Sequence, residues 1–149
     1  MTEHVLVPLD GSPQSQRAFD YALTLPDVRL TLLTVINPFD VDAERPGYQS
    51  PLGKAGVPAY SQEWYQRFRD EAVERQQADV ETAEEAGVET AGDVVFGQAA
   101  RQIVGYAEDH DVDHIVLGTH GRRNLSRVLL GSVAESVVRR APSRVTVVR

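Results

Sequence analysis

The chain has 149 residues, enough for one domain with a hydrophobic core, and we expect residues 1–149 to form a single domain. Its formal net charge of −7 argues against sequence-independent binding to DNA or RNA, which depends on clustered Lys and Arg. The absence of cysteine excludes disulfides, thiol catalysis and thiolate metal sites. There is no apolar run of the roughly 18 residues that cross a membrane and no signal-peptide pattern, so we expect a soluble cytoplasmic protein.

The basic residues are almost all arginine: Lys54 is the only lysine, and the other fourteen are arginine. An acidic protein nearly free of lysine is typical of a salt-adapted cytoplasm. A high-GC genome also favours arginine codons, so both explanations stay open.

Strand and helix patterns alternate along the chain. Short apolar runs rich in β-branched residues predict buried strands, and apolar residues at helical spacing predict helices. In chain order the pattern predicts a strand at 4–10, a helix at 12–25, a strand at 29–36, a long loop at 37–60, a helix at 61–86, a strand at 88–96, a helix at 98–110, a strand at 113–118, a helix at 129–140 and a strand at 144–149.

Several local signals support these elements. Ser12 is a good N-cap with Pro13 at the first helical position. The loop at 37–60 holds four prolines and three glycines and is long enough to form a lid. The helix that follows is expected to stop at Gly87 and to turn one stripe towards the core, formed by Trp64, Phe68, Ala72 and Val73.

Five strands alternating with four helices predict an α/β fold: a single doubly wound five-stranded parallel sheet, Rossmann-like or flavodoxin-like, with strand order 3-2-1-4-5. In such sheets ligands bind at the carboxyl ends of the strands, where the strand order reverses. The first and fourth predicted strands end at Asp10 and Gly118, so we expect these two residues to meet there.

The segment 118–133 runs from the end of a strand to the start of a helix, and three glycines punctuate it, at Gly118, Gly121 and Gly131. Glycine permits positive φ and a close approach of the backbone to a ligand. Backbone N–H groups of such a loop, together with a helix N-terminus, bind anions, and Ser132 adds a hydroxyl. Taken alone, Gly118 and Gly121 are also explained as turn residues, and Gly131 as a residue that permits close helix packing. The combination, with three arginines in between, predicts a phosphate site.

The spacing of this segment is glycine, two residues, glycine, nine residues, then glycine and serine. It resembles the phosphate-loop motif of ATP-binding universal stress proteins, and the GTHGR piece at 118–122 is similar to the usual wording of that family. The resemblance covers essentially the whole chain. It includes the opening VLVPLDGS at 5–12, the long loop after the second strand and the closing valine-rich strand at 142–148.

This resemblance implies an adenine-nucleotide-binding stress-response or signalling module whose ligand is ATP, with Mg²⁺ bridging the phosphates rather than held in a protein cage. Residues 118–122 would wrap the phosphates and ribose, and residues 131–133 would hold the phosphates. Asp10 is also a good turn former, so its role stays open. The implied binding residues are Pro8, Asp10, Val35, Gly118, Thr119, His120, Gly121, Arg122, Gly131, Ser132 and Val133.

The resemblance also implies a homodimer joined through the closing strand, Arg144 to Arg149, because a bare apolar edge strand needs a partner. A protein partner of unknown identity would read the nucleotide state. The sequence has no Walker lysine, no nucleophile elbow and no acid–base pair, so we assign no catalytic or metal residues and expect any ATP hydrolysis to be slow. The alternatives are a slow ATPase or nucleotidyl-transfer enzyme, and a nucleotide-free interaction protein.

Overall fold

The computed structural model describes residues 2–38, 61–119 and 131–149. Strands and helices alternate in the predicted order. The predicted loop lies outside the described residues from position 39 onward, as do residues 120–130 of the phosphate segment. The elements are β1 (Glu3–Pro8), α1 (Pro13–Ala22), β2 (Val28–Ile36), α2 (Gln62–Glu85), β3 (Thr90–Phe96), α3 (Ala99–Asp109), β4 (His114–Gly118), α4 (Ser132–Arg140) and β5 (Arg144–Val148).

All five strands are parallel, and their order in the sheet is β3-β2-β1-β4-β5, which confirms the predicted topology. The chain winds outward from β1 on one side and from β4 on the other. The strand order therefore reverses between β1 and β4, and a crevice opens beyond their carboxyl ends. β3 and β5 are the two edges of the sheet.

Two apolar layers cover the sheet, because successive strand residues point to opposite faces. In β1, Val5 and Val7 face one layer and Leu6 faces the other. The first layer contains residues of α1 and α2, among them Phe19 and Val80, and the second contains residues of α3 and α4. This two-sided burial explains why the strands read as continuous apolar runs rather than as alternating ones.

The start of α1 follows the predicted cap, and α2 is capped in the same way by Ser61. Ser12 Oγ accepts a hydrogen bond from the Ser15 N–H at 3.1 Å, and Ser61 Oγ accepts one from the Trp64 N–H at 3.1 Å. α4 begins three residues later than predicted, because Gly131 is the N-cap in an extended conformation, with φ −63° and ψ 156°. Glycine has no side chain that could cap this helix, which leaves its first N–H groups to other acceptors.

The core stripe of α2 differs from its prediction at one position. The predicted stripe residues Trp64, Phe68 and Ala72 are buried, but Val73 is 46% exposed. A step of one residue turns a helix by about 100°, which moves Val73 off the face that packs on the sheet. The buried stripe continues instead at Gln76 and Val80.

No helix in the described part of the chain combines the length and the apolar character that crossing a membrane requires.

Candidate functional site

A cleft lies at the carboxyl ends of β1, β2 and β4, at the reversal of strand order. Five of the sequence-predicted site residues line it: Pro8, Asp10, Val35, Gly118 and Val133. Its other lining residues, which sequence reasoning did not single out, are Leu9, Ser12, Ser15, Leu33, Ala99, Ile103 and Leu117.

The interior of the cleft is mainly apolar. Leu33 and Val35 lie two residues apart on β2 and point to the same face, where Ile103 of α3 and Leu117 of β4 meet them. Residues two apart in a strand point to the same face, so the prediction of Val35 could have been extended to Leu33 from the sequence. Such a surface suits a flat apolar ring, because it offers contact area rather than hydrogen bonds.

The polar side of the cleft is the turn that joins β1 to α1. The Ser12 N–H donates to Asp10 Oδ1 at 2.9 Å, and Gly11 between them takes the left-handed φ of +84°. Ser15 Oγ donates to the Ser12 carbonyl at 2.9 Å and accepts from the Asp10 N–H at 3.4 Å. These bonds place the Asp10 carboxylate in the turn at the rim of the cleft, which confirms the turn-forming role of Asp10.

Gly118 is required for a packing reason. A Cβ at this position would lie 2.9 Å from Ser15 N and closer still to the carbonyl group of Gln14, in the first turn of α1. The glycines with positive φ among the described residues are Gly11, Gly87 and Gly97, so the expected left-handed backbone is not the reason for Gly118.

Three of the remaining predicted site residues are among those that the structure describes: Thr119, Gly131 and Ser132. Thr119 is buried, and its N–H donates to the Val148 carbonyl at 3.0 Å, so this N–H belongs to the sheet and not to the cleft. Gly131 and Ser132 begin α4, whose first turn supplies Val133 to the cleft and whose N-terminus carries positive partial charge. Three further predictions lie outside the described residues: His120, Gly121 and Arg122.

Titratable groups of the other end of the sheet lie away from this cleft. The sequence suggested no role for His4, yet it is buried, with Nε2 2.7 Å from Thr31 Oγ1 and Nδ1 3.2 Å from the His110 carbonyl. Burial, with a smaller effect of Arg29, lowers the pKa of His4. In the three described ranges, no group of three or more His, Asp or Glu side chains is placed to hold a metal ion.

Comparison with known proteins places the whole chain in one family. The model of the universal stress protein family matches residues 1–149. A universal stress protein from Methanocaldococcus jannaschii is 31% identical over 156 residues, which cover 100% of this chain and 96% of that protein. The solved structure of the same protein has a TM-score of 0.78 at 28% identity, and the match covers 99% of this chain and 96% of that one.

Two further solved universal stress proteins share the fold. One, in complex with cAMP, has a TM-score of 0.63 at 24% identity over 99% of this chain and 96% of its own. The other, from Arabidopsis thaliana with AMP bound, has a TM-score of 0.63 at 19% identity over 98% of this chain and 90% of its own. Since the family model spans every residue and a relative of 31% identity matches from end to end, the chain belongs to the universal stress protein family.

Proposed function

We propose that this protein binds an adenine nucleotide, ATP with Mg²⁺, in the cleft at the end of β1 and β4 and acts as a stress-response or signalling module. The observation that carries the proposal is the cleft itself. It joins an apolar pocket to a polar turn and to the N-terminus of α4, at the place where such sheets bind ligands. The family relatives with AMP and cAMP support an adenine ligand.

Each part of the nucleotide has a suitable surface. Val35 and its apolar neighbours would take the adenine ring, and the Asp10 carboxylate, held by the Ser12 N–H, would accept hydrogen bonds from the ribose hydroxyls. Gly131 and Ser132 open α4, where N–H groups and the helix dipole favour phosphate. The Gly118–Arg122 segment would complete the phosphate contacts. Mg²⁺ would bind through the phosphates and water.

We expect binding rather than fast turnover. The hydroxyls of Ser12 and Ser15, which line the cleft, are engaged in the turn, where Ser12 accepts from Ser15 N–H and Ser15 donates to the Ser12 carbonyl. The Ser15 hydroxyl proton is therefore already donated to a carbonyl, and no histidine of the described residues lines the cleft to act as its general base. ATP hydrolysis at roughly 1 per second or faster would replace this proposal with that of an enzyme.

We also propose that residues 1–149 act as one domain and that two copies associate through β5. The Thr119 N–H pairs with the Val148 carbonyl, so the even-numbered residues of β5 face β4. The backbone N–H and C=O groups of Val145 and Val147 then point away from β4, at the free edge of the sheet. The β5 strand of a second copy can pair with them there. A protein partner would read the nucleotide state of this dimer.

The decisive experiment is the melting temperature with and without millimolar Mg-ATP, in moderate and in high KCl. At 100 times the dissociation constant, ATP should add about 2.7 kcal/mol of stability, a shift of several degrees. Gly131→Val should abolish the shift by blocking the start of α4. Gly105→Ala, in α3 with no atom within 4 Å of the added Cβ, should retain it.

The absence of a shift at either salt concentration in the folded protein would overturn the proposal. The nucleotide-free interaction protein would then be the better description of its function.

A further inference from the structure

The two edges of the sheet differ in how their outward backbone groups are satisfied. An edge strand presents a row of N–H and C=O groups that can pair with a strand of another molecule. In β3, the Leu30 N–H pairs with the Glu89 carbonyl and the Gly97 N–H with the Ile36 carbonyl. Odd-numbered residues of β3 therefore face β2, and the backbone groups of the even-numbered ones, positions 90 to 96, face outward.

Both outward groups of Val94, near the middle of the free edge, are taken by side chains. The Val94 N–H donates to Asp93 Oδ1 at 2.8 Å, and the Val94 carbonyl accepts from Arg69 Nη1 of α2 at 3.3 Å. A strand that arrived at this edge would meet a carboxylate at the donor and a guanidinium at the acceptor. Both charges would have to be displaced before one ladder bond could form.

Asp93 has a neighbour on each face of the sheet. On one face is Tyr106 of α3, and burial together with the charge of Asp93 raises the pKa of Tyr106 to about 12. Tyr106 therefore keeps its donor proton throughout the physiological range. On the opposite face Gln76 of α2 donates from Nε2 to the Asp93 carbonyl at 2.6 Å. The backbone of Asp93 is thus held by α2, and its carboxylate is held by the Val94 N–H.

β5 lacks such protection. Its outward residues are Val145 and Val147, and no side chain of the described residues hydrogen-bonds to their backbone groups. Both side chains are half-buried and pack against the core on one face. The two edges of one sheet are therefore chemically unequal.

We propose that Asp93 and Arg69 close the β3 edge to strand pairing, so that a second copy of this chain can add to the sheet only at β5. Because the Val94 N–H and carbonyl are already hydrogen-bonded, the free backbone groups of Thr90 and Gly92 are separated from those of Phe96. An added strand therefore cannot form a continuous ladder along β3. Association is then limited to one edge per molecule, which yields a closed pair, whereas two open edges would allow an unlimited chain.

The test removes both charged groups in the full-length protein. Asp93→Ala/Arg69→Ala should give a molar mass by light scattering that rises with concentration to at least twice that of the wild type. The control Asp109→Ala/Arg101→Ala removes the same charges from exposed positions of α3 and should behave as the wild type. Equal masses for all three proteins across the concentration series would overturn the proposal.

A second measurement locates the new contact. The chain has no cysteine, so Ala91→Cys, at an exposed position of β3, introduces a unique thiol. A short bis-maleimide should cross-link two chains through this thiol in the double variant and not in the otherwise wild-type protein. A rise in mass without this cross-link would mean aggregation elsewhere and would refute the edge assignment.

Circular dichroism checks the fold of each variant. If the double variant did not fold, Arg69→Ala alone, which removes an exposed side chain and frees only the Val94 carbonyl, should still give a smaller rise in mass. An unchanged mass for that folded variant would likewise refute the proposal.

Discussion

The backbone of Gly118, at the end of β4, lies directly against the carbonyl group of Gln14 in the first turn of α1. Residues of both elements line the candidate nucleotide cleft. Their close approach brings Gly118 and the Asp10 turn to the same rim. A residue with a Cβ at position 118 would push the two elements apart, because the neighbouring atoms belong to the rigid backbone of a helix.

Gly118→Ala should therefore destabilise the protein by about 1–3 kcal/mol, the usual cost of overpacking, and should also weaken nucleotide binding. The matched control is Gly105→Ala in α3, where the new Cβ meets no atom within 4 Å. That change should stabilise the helix by about 0.5–1 kcal/mol. Urea unfolding measures both. A Gly118→Ala protein as stable as the wild type would show that the approach is not tight.

Asp10 has two roles that substitution can separate. Asp10→Asn keeps an oxygen that accepts the Ser12 N–H, so the melting temperature should stay within a degree or so, whereas Asp10→Ala should cost about 0.5–1.5 kcal/mol. Both variants should bind ATP about ten-fold more weakly, because a charged acceptor for the ribose hydroxyls is lost. Calorimetric titration measures the affinity. Unchanged affinity in Asp10→Asn would leave Asp10 with the turn role alone.

The proposed dimer can be tested with proline, which removes a single backbone N–H. Val147→Pro removes an outward N–H of β5 that bonds to none of the described residues, so the protein should fold and be a monomer by light scattering. Thr146→Pro, one residue earlier, removes an N–H that faces β4 and should destabilise the fold itself. A folded Val147→Pro protein with unchanged mass would contradict pairing through β5.

Buried His4 makes stability depend on pH. A carbonyl can only accept, so the bond to the His110 carbonyl places the proton on Nδ1, and Nε2 accepts from the Thr31 hydroxyl. Burial, followed by Arg29, lowers the pKa of His4 in the folded state, although Asp113 opposes this effect. The unfolded chain, with a histidine pKa near 6.5, therefore binds more protons below that pH.

The contribution of neutral His4 to the free energy of unfolding should be fully present above about pH 6.5. It should fall as the pH drops from there towards the lowered pKa of the folded state. His114, whose pKa is also lowered by burial, should add to the same loss. Urea unfolding between about pH 5.5 and 7.5 measures the slope, which should be smaller in His4→Gln and smallest in His4→Gln/His114→Gln. An identical slope in wild type and His4→Gln would exclude this role.

Several features of the site could be predicted from single residues and their spacing. The strand ends at Pro8 and Val35 line the cleft, and the Ser12-Pro13 cap begins α1. Leu33 of β2 and Ile103 of α3 were missed because an apolar residue gives the same sequence signal whether it lines a ligand cleft or the core. Gly118 ends β4 as predicted, but its contact with α1 was not predicted, since a glycine in the sequence does not reveal what packs against it.

The sequence by itself determined the family, through the resemblance of its glycine spacing and its opening residues. It also determined the alternation of five strands and four helices that predicts the parallel sheet, because apolar periods and helix caps are local properties of the chain. The tertiary structure alone decided which groups meet across the fold. It placed Gly118 against Gln14, buried His4 between β2 and the end of α3, and set Asp93 and Arg69 on the free edge of β3. Such pairings depend on long-range packing, which leaves no periodic signal in the sequence.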